Sequence, residues 1–130
     1  MNTKKLGNFG EDLACEYLVE KGYKILGRNY AVGYGELDII CRKRWGVRNI
    51  FRRSIHFVEV KTIIASDGFS PEDRVDYAKQ RKLRNLCQIW LNKNHFPQDI
   101  PYQIDVIGVS IESATHKANV HYFPNAVEGV

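Results

Sequence analysis

Long apolar runs, paired cysteines and proline-rich tracts are all missing from this sequence, and each absence removes a class of protein. No stretch approaches the roughly 18 consecutive apolar residues that a membrane-spanning helix needs, and residues Met1 to Gly10 lack the apolar segment of a secretory signal. A cytoplasmic protein with no membrane partner is therefore expected. The three cysteines, Cys15, Cys41 and Cys87, form no CxxC pair and keep no regular spacing to the four histidines. Neither a disulfide framework nor a zinc knuckle is indicated, and reduced, buried thiols are expected instead. Only 4 prolines stand beside 10 glycines, with no repeat or low-complexity tract, which argues against disordered and collagen-like chains. What is present is ordinary: 44% hydrophobic and 26% charged residues in 130, the size of a single domain spanning 1–130.

Acid is also missing from one interval. Between Asp38 and Glu59 there is no acidic residue, while Arg42, Lys43, Arg44, Arg48, Arg52 and Arg53 contribute six cations. Lys79, Arg81, Lys82 and Arg84 form a second cluster. Basic clusters attract polyanions by releasing condensed counterions, but charge alone does not separate that role from a solvated face. The net charge of +4 is too modest to decide.

Periodicity orders the elements. Thr3 to Lys21 reads as an amphipathic helix, with Leu6, Phe9, Leu13 and Tyr17 at helical spacing, Ala14 and Leu18 beside them, and Gly22 as a stop. Tyr23 to Tyr30 and Glu36 to Cys41 read as strands around turn chemistry at Val32 to Gly35, with Leu37, Ile39 and Cys41 expected on one face. A basic hairpin connection leads to a third strand, Ile55 to Ile63. After a loop at Asp67 to Ser70, the Ser70-Pro71-Glu72-Asp73 run caps a helix reaching about Asn94, with Val75, Leu83, Leu86 and Trp90 on one face. Tyr102 to Ile111 and Val120 to Phe123 are the last strands. Helix, three strands, helix and two strands predict a layered α/β domain, one mixed sheet flanked by helices.

Within that sheet, three charges stand in apolar strands. Glu59 and Lys61 share a face of the third strand with Phe57 and Ile63, and Asp38 lies between Leu37 and Ile39. Unpaired burial of such groups costs several kcal/mol, so they must neutralise one another, open to solvent or hold a cation. A Glu59 to Lys61 pair on an exposed edge is the plain alternative. The other is convergence of Asp38 and Glu59 from two successive antiparallel strands, with Lys61 beside them. Hard divalent ions such as Mg²⁺ take oxygen ligands of this kind. Lys61 would then orient or help deprotonate a water, or offset charge on a phosphate. Glu11 shares a helical face with Cys15 and Leu18, so it is either a boundary residue or a fourth member.

The runs Gly7-x-x-Gly10-Glu11-x-x-Ala14, Gly22-Tyr23, Arg28-Asn29-Tyr30, Gly35-Glu36-Leu37-Asp38-Ile39-Ile40, Phe57-Val58-Glu59-Val60-Lys61-Thr62 and Lys79-Gln80-Arg81-Lys82-Leu83 resemble those of the small bacterial YraN-like family, uncharacterised protein family 0102. Ile104-Asp105-Val106-Ile107 and Asn125-Ala126 extend the resemblance over nearly the whole chain. That family is placed among the restriction-endonuclease-like PD-(D/E)xK nucleases and is similar to archaeal Holliday-junction resolvases. The resemblance implies an αβββαβ core and Mg²⁺, with Mn²⁺ as a substitute, held by Asp38, Glu59 and the Val60 carbonyl. It further implies Lys61 serving the water, Glu11 reaching the metal through water, and Lys79 or Gln80 touching the scissile phosphate. Arg42, Arg44, Arg52 and Arg53 are the candidate substrate contacts of the basic hairpin. The expected activity is a metal-dependent endonuclease acting on branched or unusual DNA, with a homodimer if the substrate is a two-fold junction. A non-catalytic nucleic-acid-binding module that keeps the fold is the alternative.

Overall fold

The computed structural model describes residues 3–33, 35–44, 54–64 and 77–126. Helix α1 spans Thr3–Glu20 and is followed by strands β1 (Tyr23–Val32), β2 (Gly35–Lys43) and β3 (Ile55–Ile64). Helix α2 (Tyr77–Lys93) then precedes β4 (Tyr102–Ile111) and β5 (Ala118–Phe123). The strands lie side by side in chain order. β3 and β4 are parallel and every other neighbouring pair is antiparallel. Parallel neighbours cannot be joined by a tight turn, and the segment containing α2 is the crossover. The result is the expected α/β class, a mixed five-stranded sheet flanked by two helices and consistent with a restriction-endonuclease-like core.

Each helix buries a different face of the sheet. Against α1, Ala14 and Leu18 pack on Ile39, Cys41, Val58, Ile107 and Val109. Against α2, Leu83, Leu86, Cys87, Trp90 and Leu91 pack on Leu37, Ile40, Ile55, Phe57 and Ile104. The buried stripe of α1 differs from the expected one. It follows Gly10, Ala14 and Leu18, whereas Leu6, Leu13 and Tyr17 are half-buried and Phe9 is 39% exposed. Small size decides this: a Cβ on Gly10 would stand 1.8 Å from Thr62 Oγ1, so only glycine lets α1 approach β3 so closely. Gly35 does the same against α2, where a Cβ would meet Leu86 Cδ1 at 2.5 Å. Gly22 ends α1 with φ of +91°, its N–H donating to the Val19 carbonyl at 3.0 Å.

The strands run slightly longer than expected, β1 to Val32 and β5 from Ala118. Cys41 and Cys87 are buried, Cys15 is half-buried, and all three are free thiols. Trp90 belongs to the core, stacked 5.5 Å from Phe96. The Asp67 to Ser70 loop, the Ser70-Pro71 cap, Trp45, Val75, Arg48, Arg52 and Arg53 lie outside the described residues. Among the described residues no helix is long and apolar enough to cross a membrane.

Candidate functional site

The period-two rule fails at one strand position, and the charged residues collect there. Ile39 and Cys41 face α1, Ile40 faces α2, and Leu37, expected beside Ile39, faces α2 as well. The strand therefore changes face at Asp38. The backbone ladder between β2 and β3 covers only Ile39 with Val58, Ile40 with Phe57 and Cys41 with His56. Beyond that point the Asp38 side chain takes over: its Oδ2 accepts the Val60 N–H at 2.9 Å. Polar side chains from three strands and both helices can enter the opening so formed.

Asp38 and Glu59 line one small hollow, whose remaining walls are Leu37, Phe57, Val58, Leu83, Cys87 and Ile104. This apolar lining removes water from the carboxylates. Burial first, and then the charge of Glu59, push the Asp38 carboxyl up to about 8, with Glu11 and Glu36 adding to the rise and the Val60 N–H opposing it. Glu59 takes a partner from helix α2. Its Oε1 lies 3.0 Å from the Lys79 ammonium of α2. Two residues along a strand are separated by roughly 6.5 Å, whereas α2 delivers Lys79 directly over the carboxylate. Lys79 is 54% exposed and reaches in from the rim. Lys61, Val60 and Gln80 are half-buried.

Glu11 arrives from the other side. The Gly10 contact with Thr62 sets α1 against β3, and the Glu11 side chain is only 14% exposed. Its carboxylate, that of Glu36 and that of Asp38 have oxygen atoms within 4.8 Å of one another. With its amide nitrogen turned toward the acids, Asn29 donates to Glu36 Oε1 at 2.9 Å and to Glu11 Oε2 at 2.9 Å. Arg28 stands 3.8 Å from Glu11 Oε2 and 2.9 Å from Asp12 Oδ1. Burial and then Glu36 raise the Glu11 carboxyl above its ordinary value, while Arg28 and Asn29 pull it back.

Asp38, Glu59 and Glu11 are thus brought to one region, with Val60 tied to Asp38 and Lys79 tied to Glu59. Arg42 and Arg44 are not brought there: they stand at the other end of β2. Arg52 and Arg53 fall outside the described residues. Three participants were missed as site residues from sequence alone: Arg28, Asn29 and Glu36. The hairpin register carried the signal. Arg28 opposes Ile39 and Tyr30 opposes Leu37, which sets Asn29 across from Asp38. Asn29 also has φ of +51°, a left-handed conformation that asparagine tolerates better than most residues.

A second polar cluster lies in the core. Asp105, fully buried, accepts from Gln103 Nε2 at 2.7 Å, Tyr122 OH at 2.5 Å and the Asn125 N–H at 2.7 Å, and its Oδ2 stands 2.7 Å from His56 Nδ1. Burial alone would raise this carboxyl, but the four hydrogen bonds outweigh it and hold the group below its usual range. His56 and Asp105 fasten β3, β4 and the segment after β5.

The model of a family described as uncharacterised protein family UPF0102 matches residues 10–109. A UPF0102 protein of Dictyoglomus turgidum is 33% identical over 126 residues, 97% of this chain and 99% of the relative. One from Desulforamulus reducens is 38% identical over 128 residues, 98% of each chain. Among solved structures, that of Pyrococcus furiosus SfsA in complex with Ca²⁺ is similar at 17% identity with a TM-score of 0.42, over 98% of this chain and 66% of that one. At that score the likeness carries no argument.

Proposed function

Because the chain belongs to the uncharacterised protein family UPF0102, we propose from its site geometry that it is a metal-dependent endonuclease hydrolysing phosphodiester bonds in branched or otherwise unusual DNA. The observation that carries the reading is the Asp38 carboxyl, held by the Val60 N–H in a hollow shared with Glu59 and pushed up to about 8 by burial and like charge. A carboxyl raised by burial and then by like charge is relieved by a cation that takes the proton's place. The donor set fits a hard ion: the nearby acids offer oxygen, and no histidine or cysteine belongs to the close acidic group among the described residues.

Asp38, Glu59 and the Val60 carbonyl would hold Mg²⁺, or Mn²⁺ in its place. When bound, such an ion supplies Lewis-acid polarisation of a phosphoryl oxygen and lowers the pKa of water. The remaining work belongs to the chain. Lys61 orients the attacking water in line with the scissile bond and counters charge developing on the phosphorane oxygens. Glu11, restrained by Asn29 and Arg28, accepts a hydrogen bond from water at the rim. Lys79 balances Glu59 before substrate arrives and is exposed enough to turn to a phosphate afterwards. Gln80 stands next to it on α2.

The Lys79 to Glu59 ion pair also favours a second reading, a nucleic-acid-binding module in which the ammonium permanently fills the place of the cation. One experiment separates the two. Duplex, flap, fork and four-way DNA are incubated with Mg²⁺ or Mn²⁺ and wild-type protein or the Asp38→Ala, Glu59→Ala and Lys61→Ala variants. The nuclease reading expects cleavage by wild type alone, with binding kept by all. Cleavage by all three variants removes this site from the chemistry, and salt-sensitive binding without any cleavage selects the binding module.

A further inference from the structure

The acid-lined end of the sheet is accounted for by the reading above, and the opposite end of the β1–β2 hairpin is not. There Lys24 stands opposite Arg42 and Tyr23 opposite Lys43, and the Arg44 N–H donates to the Gly22 carbonyl at 2.8 Å, which draws in Lys21. Opposed residues share a face, so Lys24 and Arg42 project to one side of the hairpin end and Lys43 to the other. Lys21, Lys24, Lys43 and Arg44 are exposed, and Arg42 is half-buried. Among the described residues no carboxylate lies within ion-pair distance of Lys21, Lys24, Arg42 or Lys43. Aromatic faces hold two of the ammonium groups instead: Lys43 is 5.3 Å from the Tyr23 ring centroid and Lys21 is 5.5 Å from that of Tyr17. A ring orients a cation without cancelling its charge. Lys24 and Lys43 therefore leave positive charge on both sides of the hairpin end.

Position gives the patch a use. Among the described residues β1 is an edge strand, with no further strand beside the hairpin on that side. Lys43 lies five residue steps along β2 from Asp38, about 17 Å at ~3.3 Å per step. That is the axial length of about five base pairs of DNA at ~3.4 Å each. We propose that this end of the hairpin holds the phosphate backbone of a duplex DNA arm about five base pairs from the scissile phosphate. The inference rests on the nuclease reading of Asp38 and Glu59, because the cleaved bond defines the distance.

The test uses the full chain and forked DNA whose duplex arm is varied from 3 to 12 base pairs. Affinity is measured by anisotropy in EDTA across a salt series, and cleavage is measured separately in Mg²⁺. Wild type should gain affinity as the arm lengthens past about five base pairs. Replacing Lys24 and Lys43 together by Gln should abolish that gain and reduce the slope of log K against log salt by about 1.8. The corresponding loss is roughly thirtyfold at 0.15 M salt. Lys117→Gln, in the β4–β5 turn, should leave slope and gain intact, and equal melting midpoints show that the variants are folded. An unchanged slope in the folded double variant, or affinity independent of arm length, overturns the arm contact even where Mg²⁺-dependent cleavage is observed. Loss of slope with no cleavage of any substrate keeps a phosphate contact but overturns its assignment to a scissile bond, and the nuclease reading with it.

Discussion

Replacing Asp38 by Asn should stabilise the metal-free protein while destroying its cation site. The Asp38 carboxyl is pushed up to about 8 in the fold, whereas in the unfolded chain it titrates near its ordinary value of 3.8. The folded state therefore holds the extra proton between these two values. Stability contributed through this group is fully present below pH 3.8, declines by about 1.4 kcal/mol per pH unit as pH rises, and levels off above about 8. At pH 7 the cost of the carboxyl relative to a neutral side chain is about 4 kcal/mol as an upper bound, since solvent at the mouth of the hollow screens part of it. Asparagine keeps an oxygen to accept the Val60 N–H and carries no charge. Urea unfolding in EDTA at pH 5, 6, 7 and 8 should show the variant more stable than wild type by an amount that grows with pH. Millimolar Mg²⁺ should raise the wild-type midpoint, more at pH 8 than at pH 6 because proton and metal compete, and leave the variant unmoved. Equal stability of the two proteins at pH 8 without metal would refute the account of Asp38 as a buried, unneutralised acid.

Asp105→Ala should cost about 3–5 kcal/mol in urea unfolding, because it strands His56, Gln103, Tyr122 and the Asn125 N–H. The pH effect of Asp105 runs opposite to that of Asp38: its folded value is lowered, so its contribution is present above pH 3.8 and is lost as pH falls through the lowered value. Gly10→Ala should destabilise by about 1–3 kcal/mol through the clash with Thr62, and Gly10→Ala combined with Thr62→Ala should recover part of the loss in a double-mutant cycle. Asn29→Ala should lower Mg²⁺ affinity in titrations of the melting midpoint, by about tenfold or more, because Glu11 and Glu36 lose their shared donor; unchanged affinity removes Asn29 from the site.

Much of the fold was legible from residue patterns because its signals are local. Apolar periodicity, the Gly22 stop and the turn residues around Gly33 act over a few neighbouring residues, and the seven elements appear in the expected order. The charged residues were legible for a related reason: Asp38, Glu59 and Lys61 contradict the apolar pattern of their own strands, and the contradiction is visible without coordinates. Partner choice was not. Glu59 looked as able to pair with Lys61 as with anything else, and the helix α2 that brings Lys79 to 3.0 Å is remote in sequence.

The chain by itself determined the class of the fold, the strands that carry unexpected charge and the two basic clusters, since each follows from side-chain polarity and short-range spacing. Tertiary structure alone decided that the sheet face switches at Asp38, that Glu36, Arg28 and Asn29 join Glu11 there, and that His56 is held by a buried Asp105. Those outcomes depend on where separate strands stop pairing and how closely a glycine lets a helix approach. Such distances are set by packing between distant segments, and no local pattern encodes them.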